Sequence, residues 1–464
     1  MRTLLLSAAC LTTAPRLAHA NAGFALNDGL ADWTANAYAG EAAKAYDAGT
    51  AWTNPAGMVR IQGNELDSTI NFIDPSLQYR GQDLVNGVPV SGVQSDKGID
   101  AAISGGTGAV ISLSPRLKLG FAVQSPYASR LSFTPANYTG RYQATVSIPT
   151  NIQGLFSAAY AINSHLSIGG GPIVSYFKDR QSHALNLQNA TTALGTVSLG
   201  PAGADPVAQF RGDDWSVGYD VGMLYQFTDD FRIGVNYHSA IYHKLSGYQD
   251  VYVPSVIASM NPLDAIIPGL GNIVANSLKS QTYDATTKVT LPGWVDTSAY
   301  WQISPEWAVM ANVTWTNWSL FQNSRVQPND PTIPVTTNIQ YNFHDTVTAG
   351  VGANYRPHWQ PKLMLQSGLT YDQSPIDDAN RQASIPDGDR IELGVGATYQ
   401  ATKNITLAIA YTHYFFPNQN NINNSIGNIT TGSPLGQVTL NQGTMVGHYN
   451  ISNDALAVGV KQTF

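Results

Sequence analysis

His238 and His243 are the first residues to test for chemistry, because two imidazoles in one short stretch could bind a metal or pass a proton. They stand five residues apart, and on a continuous strand such residues face opposite ways. A zinc site lacks thiolates too, since the single cysteine, Cys10, lies among the first twenty residues. No G-x-S-x-G occurs, and GGTG (105–108), GLG (269–271) and GVG (350–352) lack the strand–loop–helix setting of a phosphate site. A Ser/His pair assembled only by folding stays open, so an outer-membrane lipid hydrolase remains an alternative. The acidic run from Asp372 to Asp389 has no EF-hand spacing and reads as a solvated loop held by Arg381 and Arg390. The residues imply no metal, no cofactor and no catalytic group.

What positions these residues is a β-rich chain. Charged residues are 12% of the 464, about half the usual share, yet no run of about 18 apolar residues occurs beyond the extreme N-terminus. In WSVGYDVGMLYQF, Trp215, Val217, Tyr219, Val221, Met223, Tyr225 and Phe227 form one face, and small or polar residues form the other. FRIGVNYH, IELGVGATY and ITLAIAY alternate likewise. A soluble sandwich also alternates, but its strands are shorter. Trp215 and Phe227, twelve apart, span a tilted membrane strand with an aromatic at each end.

Short connections occur at 114–118, 162–165, 228–231, 304–306, 356–362 and 401–404, and long Asn/Pro/Gly-rich ones lie between them. Six short periplasmic turns, with both chain ends on the same side, predict fourteen strands between about Glu65 and Phe464. The fold class is therefore all-β: a 14-stranded antiparallel transmembrane β-barrel with an N-terminal plug (hatch) in its lumen. Residues 1–20 read as a signal peptide cleaved after Ala20, with Ala22 as the second site; 21–63 form the plug and 64–464 the barrel. Irregular, small-residue DAGTAWTNPAGM (47–58) cannot face lipid, so its place is inside. Removing Arg2 and Arg16 leaves 22 basic against 31 acidic residues, a net charge of −9, which argues against nucleic acid. A closed barrel has no edge that demands a partner, so a monomer surrounded by outer-membrane lipids, lipopolysaccharide included, is expected.

The segments AGFALNDG (22–29), YAGEAAKAYDAGTAWTNPAGM (38–58), LPGW (291–294), WTNWSLF (315–321) and YDQSPIDDANRQASIPDGDR (371–390) resemble, in order, motifs of the FadL family of outer-membrane transporters for long-chain fatty acids and other hydrophobic compounds. The resemblance implies a fourteen-stranded, hatch-plugged barrel in the outer membrane of a Gram-negative bacterium. It implies capture between extracellular loops, transfer to an internal pocket, hatch movement, and lateral exit where the third strand kinks inward. Transport of this kind needs no ATP.

Carried onto this sequence, the resemblance places Phe24 at the pocket and Asn54, Pro55 and Ala56 in the hatch signature. In LKLGFAVQSPYASRLSF, Pro126 cannot donate to a β-ladder and marks the lateral gate with Ser125 and Tyr127; an ordinary bulge is the alternative. The apolar stretch 248–284 matches the capture groove, with Ile257, Met260, Leu263, Ile266, Ile267, Leu270, Ile273 and Val274 at helical spacing. The family's polar ligand contacts fall on Lys178 with Arg180 nearby, and on His344 where the family has lysine. Histidine is mostly neutral at pH 7, which keeps aromatic and aliphatic hydrocarbons as alternative substrates. A non-specific porin is a third class; a plug and a greasy outer loop argue against it.

Overall fold

A computed structural model describes residues 29–93, 98–133, 137–192, 195–197, 205–254, 280–330, 337–433 and 436–464. Lipid contains no hydrogen-bonding partner, so a chain of this alternation must close its sheet on itself. It does. The barrel strands are β1 (Glu65–Val85), β2 (Ala102–Ser112), β3 (Leu117–Gln124), β4 (Thr150–Ala161), β5 (Leu166–Ala184) and β6 (Val207–Gln226). β7 (Phe231–His238, resumed at Ile241–Tyr252) and β8 (Gln281–Leu291, resumed at Trp294–Gln302) are each interrupted. β9 (Trp307–Thr316), β10 (Thr346–Tyr355), β11 (Leu363–Asp372), β12 (Arg390–Gln400), β13 (Ile405–Phe415) and β14 (Thr444–Thr463) complete the wall. All pair antiparallel, and β1 closes on β14 from Glu65↔Thr463 to Leu84↔Thr444. The protein is a closed fourteen-stranded antiparallel barrel.

The outer face is the one that alternation selects. Trp215, Val217, Tyr219, Val221, Met223, Tyr225 and Phe227 are all exposed, while Asp220 and Leu224 point inward and are buried. Five of the six short turns have a common local cause. A Ser, Thr or Asn side chain accepts the backbone N–H three residues on: Ser114 from Leu117 (3.0 Å), Asn163 from Leu166 (2.8 Å), Thr228 from Phe231 (3.1 Å), Ser304 from Trp307 (3.1 Å) and Thr402 from Ile405 (3.0 Å). Such residues close turns by replacing a backbone partner.

Residues 29–63 fill the lumen with three short helices, α1 (Ala31–Ala35), α2 (Glu41–Lys44) and α3 (Thr50–Thr53), followed by a 3-10 turn, Pro55–Arg60. Almost all of it is buried. Its backbone touches the wall through glycines. A Cβ on Gly368 would sit 1.8 Å from the Asn36 carbonyl oxygen, and one on Gly234 would sit 1.8 Å from that of Ala42. Only glycine permits this approach, so the plug's groove is written into the strands.

Asn54 is one of the plug's tethers to the wall. Its Oδ1 accepts the Ala56 N–H (3.1 Å), and its Nδ2 donates to Ala42 O (2.7 Å) inside the plug and to Met223 O (3.0 Å) in β6. Pro55 follows at the first position of the 3-10 turn, where its fixed φ fits and no N–H is missed. Replacing Asn54 with Ala removes three hydrogen bonds in a buried place, which weakens plug docking by about 2 kcal/mol, or roughly 30-fold in the opening equilibrium. Hydrogen–deuterium exchange at Ala56 and Gly57 should accelerate by that factor while exchange in β11 to β13 stays unchanged.

Candidate functional site

The wall breaks in three adjacent places, and the breaks make the site. In β3 the ladder stops at Thr107↔Val123 on one side and Gln124↔Gln153 on the other. Ser125, Pro126 and Tyr127 then turn into the lumen, and the chain rejoins the wall at Leu131–Ser132. Pro126 has no N–H to give a neighbour, and Tyr127 Oη donates to Pro292 O (3.0 Å) in β8. Residues Ala102–Gly106 of β2 pair with β1 but have no ladder partner on their other side among the described residues. Here the ladder of the wall is interrupted.

The second and third breaks are Ser239–Ala240 in β7 and Pro292–Gly293 in β8. They lie together: a Cβ on Gly293 would come within 2.7 Å of the Ala240 nitrogen and the His238 oxygen. The first of them overturns the expectation that His238 and His243 face opposite ways. Two residues outside the strand conformation reset the alternation, and both imidazoles are buried on the inner side. His238 stacks on Trp294 (centroids 3.8 Å apart, planes at 7°) and packs against Trp52 of α3.

A cavity of about 210 Å³ occupies the space between the kink and the plug. Its apolar side is aromatic: Trp33, Tyr38 and Trp52 from the plug, Tyr127 from the kink, and Trp294 and Trp318 from the wall. Tyr127 meets Trp318 edge-on at 6.0 Å. The opposite side is a row of hydroxyls and carboxylates on successive strands: Asp296, Thr314, Thr348, Thr370 and Asp372. These groups already satisfy one another. Asp296 Oδ2 accepts from Thr314 (2.8 Å) and Asn312 (3.2 Å), and Thr348 donates to Asp372.

The single basic side chain that lines this cavity, among the described residues, is Arg390. It is bound to Asp372, to Asp387 (3.4 Å) and to Glu392 (3.3 Å). Arg381 ties the same loop down through Asp378 and the Asp387 carbonyl (2.7 Å). The two arginines thus hold the 372–390 loop as expected, but the loop is not solvated: Arg381, Asp387 and Arg390 are buried. Glu41 also lines the cavity, paired with Lys44 at 2.6 Å. Burial pushes its carboxyl up to about 7 against the pull of Lys44.

Ser125, Pro126 and Tyr127 therefore sit on the cavity as a group. Asn54, Pro55 and Ala56 do not line it; they dock the plug one turn away, next to Trp52 and Thr53, which do. Lys178 and Arg180 are not brought to it. They alternate with the buried Phe177, Asp179 and Gln181, so they point outward, and both are exposed. His344 is exposed as well, its Nδ1 set against the Asp345 carbonyl (3.0 Å). Phe24 and the capture-groove residues Ile257 to Val274 lie outside the described residues.

Ser175, His243 and Asp214 share the hydrogen-bond order of a nucleophile triad, with Ser175 Oγ 3.0 Å from His243 Nε2 and His243 Nδ1 3.1 Å from Asp214 Oδ2. Ser175 is fully buried, receives the Asn151 amide (2.9 Å) and does not line the cavity. Its hydroxyl is a node of the wall's inner polar network. The aromatic lining was the part sequence reasoning missed. Its signal was present in LPGW and WTNWSLF, whose tryptophans stand at interruptions of the alternation.

A closed fourteen-strand barrel, a small-residue plug and an inward-kinked third strand define an outer-membrane transport protein. The family described as outer membrane protein transport protein (OMPP1/FadL/TodX) matches residues 10–464, and this chain belongs to it. It is 25% identical over 412 residues to the long-chain fatty acid transport protein of Escherichia coli O6:H1, covering 85% of this chain and 87% of that one. It is 25% identical over 425 residues to outer membrane protein P1 of Haemophilus influenzae, covering 84% and 85%. The fold is shared with a Pseudomonas aeruginosa FadL homologue at a TM-score of 0.80 (23% identity; 95% and 100% covered). It is shared with the Ralstonia pickettii toluene transporter TbuX at 0.62 (15%; 95% and 99%). The protein resides in the outer membrane of a Gram-negative bacterium.

Glu41 makes plug docking pH-dependent. Its carboxyl rises from 4.5 to about 7, so between those values the docked plug binds more protons than the released one. Docking therefore weakens as pH climbs from about 4.5 to 7. Exchange of the α2 amides should accelerate across that window, and Glu41→Gln should reduce the dependence, leaving the part that buried Asp47 contributes.

Proposed function

We propose that the protein carries long-chain fatty acids or similar hydrophobic molecules across the outer membrane by passive, hatch-gated lateral diffusion, and that the molecule is uncharged while it occupies the internal cavity. The aromatic face formed by Trp33, Trp52, Tyr127, Trp294 and Trp318 supports an apolar ligand. Its burial supplies the affinity, about 0.8 kcal/mol per CH₂, with no energy source needed. The exit runs past Ser125–Pro126–Tyr127. On the outer side of the same break, Ala102, Ile103 and Arg130 border an apolar groove of about 550 Å³ with Phe72, Tyr411 and Leu456. A molecule leaving sideways meets hydrocarbon rather than water.

The observation that carries the uncharged state is Arg390. It faces three carboxylates already, and Glu41 and Asp296 add further acid to the lining. A carboxylate anion would enter an acidic chamber with no spare cation among the described residues. A hydrocarbon, or a fatty acid in its protonated form, would not. This weighs against a fixed cation contact through Lys178, Arg180 or His344. The relatives' own descriptions, fatty acid transport for one and toluene transport for another, span both ligand types. No catalytic role is assigned to any residue.

Uptake of oleate and of xylene in cells lacking their own transporter tests this. Both should enter above the empty-vector rate. Oleate uptake should be several-fold faster at pH 5.5 than at pH 7.5, and xylene uptake should not change. Oleate uptake that is fastest at high pH would sink the uncharged-ligand reading, and absence of both would sink the transport reading for these substrates.

A further inference from the structure

Away from the cavity, toward the end of the barrel where β1 begins and β14 ends, three carboxylates converge from three places in the chain. Asp32 comes from α1, Asp47 from the turn before α3, and Asp67 from β1. One oxygen of each lies within 4.8 Å of the other two. The residues are only 5%, 3% and 5% exposed. Buried acids so close together repel and lose hydration, and they persist only with compensation.

The protein's own compensation is incomplete. Asp32 Oδ1 is buried and has no hydrogen-bond partner, and neither has Glu65 Oε1, from the residue two before Asp67 on the same face of β1. Asp47 spends Oδ1 on the Gly49 N–H (2.9 Å), which leaves its second oxygen. The lysine facing this group is Lys461 of β14, which borders the same polar cavity as Asp32 and Asp67. Lys44 is engaged elsewhere, by Glu41 at 2.6 Å and by the Asp32 carbonyl at 3.1 Å. Asp32, Asp47, Asp67 and Glu65 thus share Lys461, with Arg356 and Lys362 on the wall of the same cavity.

Two oxygens on one ion can be no farther apart than twice the bond length, about 4.6–5.2 Å for calcium at 2.3–2.6 Å. Three oxygens within 4.8 Å of one another are near enough to converge on one such ion with a small side-chain adjustment. All the donors are hard carboxylate oxygens, which suit calcium or magnesium rather than a transition metal. There is also a way in. The cavity beside Asp32 and Asp67, about 230 Å³, reaches Arg356, Pro361 and Lys362 of the longest short-side turn.

We propose that Asp32, Asp47 and Asp67 form a calcium site that fastens the plug to the barrel wall. The bound ion ties α1 and the turn before α3 to β1 at the closing seam. Occupancy would hold the plug's inner end fixed while the kink end stays free to move. Calcium fits better than magnesium, because the donors come from three separate elements and magnesium demands tighter octahedral geometry and keeps most of its waters.

The test uses the full mature chain, refolded into detergent free of lipopolysaccharide, whose phosphates would bind calcium themselves. Isothermal titration with calcium should give one site per chain. Asp47→Asn and Asp67→Asn, each checked for folding by its heat-dependent gel migration, should weaken that site at least tenfold. Exchange of amides 31–35 and 47–51 should slow with calcium in the wild type and not in the variants. A tenfold excess of magnesium should fail to displace calcium. No binding at 1 mM calcium by the folded wild type overturns the proposal, and so does binding that the variants retain in full, which would put the ion elsewhere. Displacement by equimolar magnesium overturns the assignment to calcium.

Discussion

At membrane depth every backbone N–H and C=O must find a partner inside the protein, and the whole architecture follows from that constraint. It closes β1 onto β14, keeps the short turns short, and confines irregular chain to the lumen. It also makes any opening in the wall conspicuous. The chain leaves the ladder at Ser125, and the orphaned edge of β2 at Ala102–Gly106 is the consequence.

The plug and the wall are complementary at the level of backbone atoms. Wall glycines admit plug carbonyls, and Asn54 and Asn36 reach back to main-chain groups of the wall: Met223 O from the first, Ser367 O from the second. Charge is handled differently at the two ends. Near the kink, Arg390 gathers its own carboxylates, which leaves an aromatic chamber with an acidic, self-satisfied rim. Near the seam, carboxylates outnumber their lysine. One end presents an aromatic chamber whose acids are already paired, and the other gathers buried carboxylates around Lys461.

Much of this was legible in the sequence. Alternation in 215–227 assigned the lipid face residue by residue, and the short connections between alternating segments marked the turns. Pro126 marked the kink. The polar contacts were not legible, because Lys178 and Arg180 obey the same period as their neighbours and so fall on the outer face. Parity counted straight through 231–252 also failed for His243, since the break at Ser239–Ala240 restarts it. Local period is a property of a few residues. The meeting of Asp32, Asp47 and Asp67, or of Arg390 with Asp372, depends on barrel closure and plug docking, which no local pattern encodes.

The central claim is that the ligand leaves sideways through the break beside Ser125. Ser125→Cys gives the most direct test, since Cys10 is the only cysteine in the sequence and lies among the first twenty residues. Uptake would be measured in cells before and after a bulky thiol reagent, with complete modification verified by mass. The account predicts near-normal uptake before modification and a fall of about tenfold or more after it. Unchanged uptake by fully modified protein would mean that the ligand takes another path, and would contradict the account.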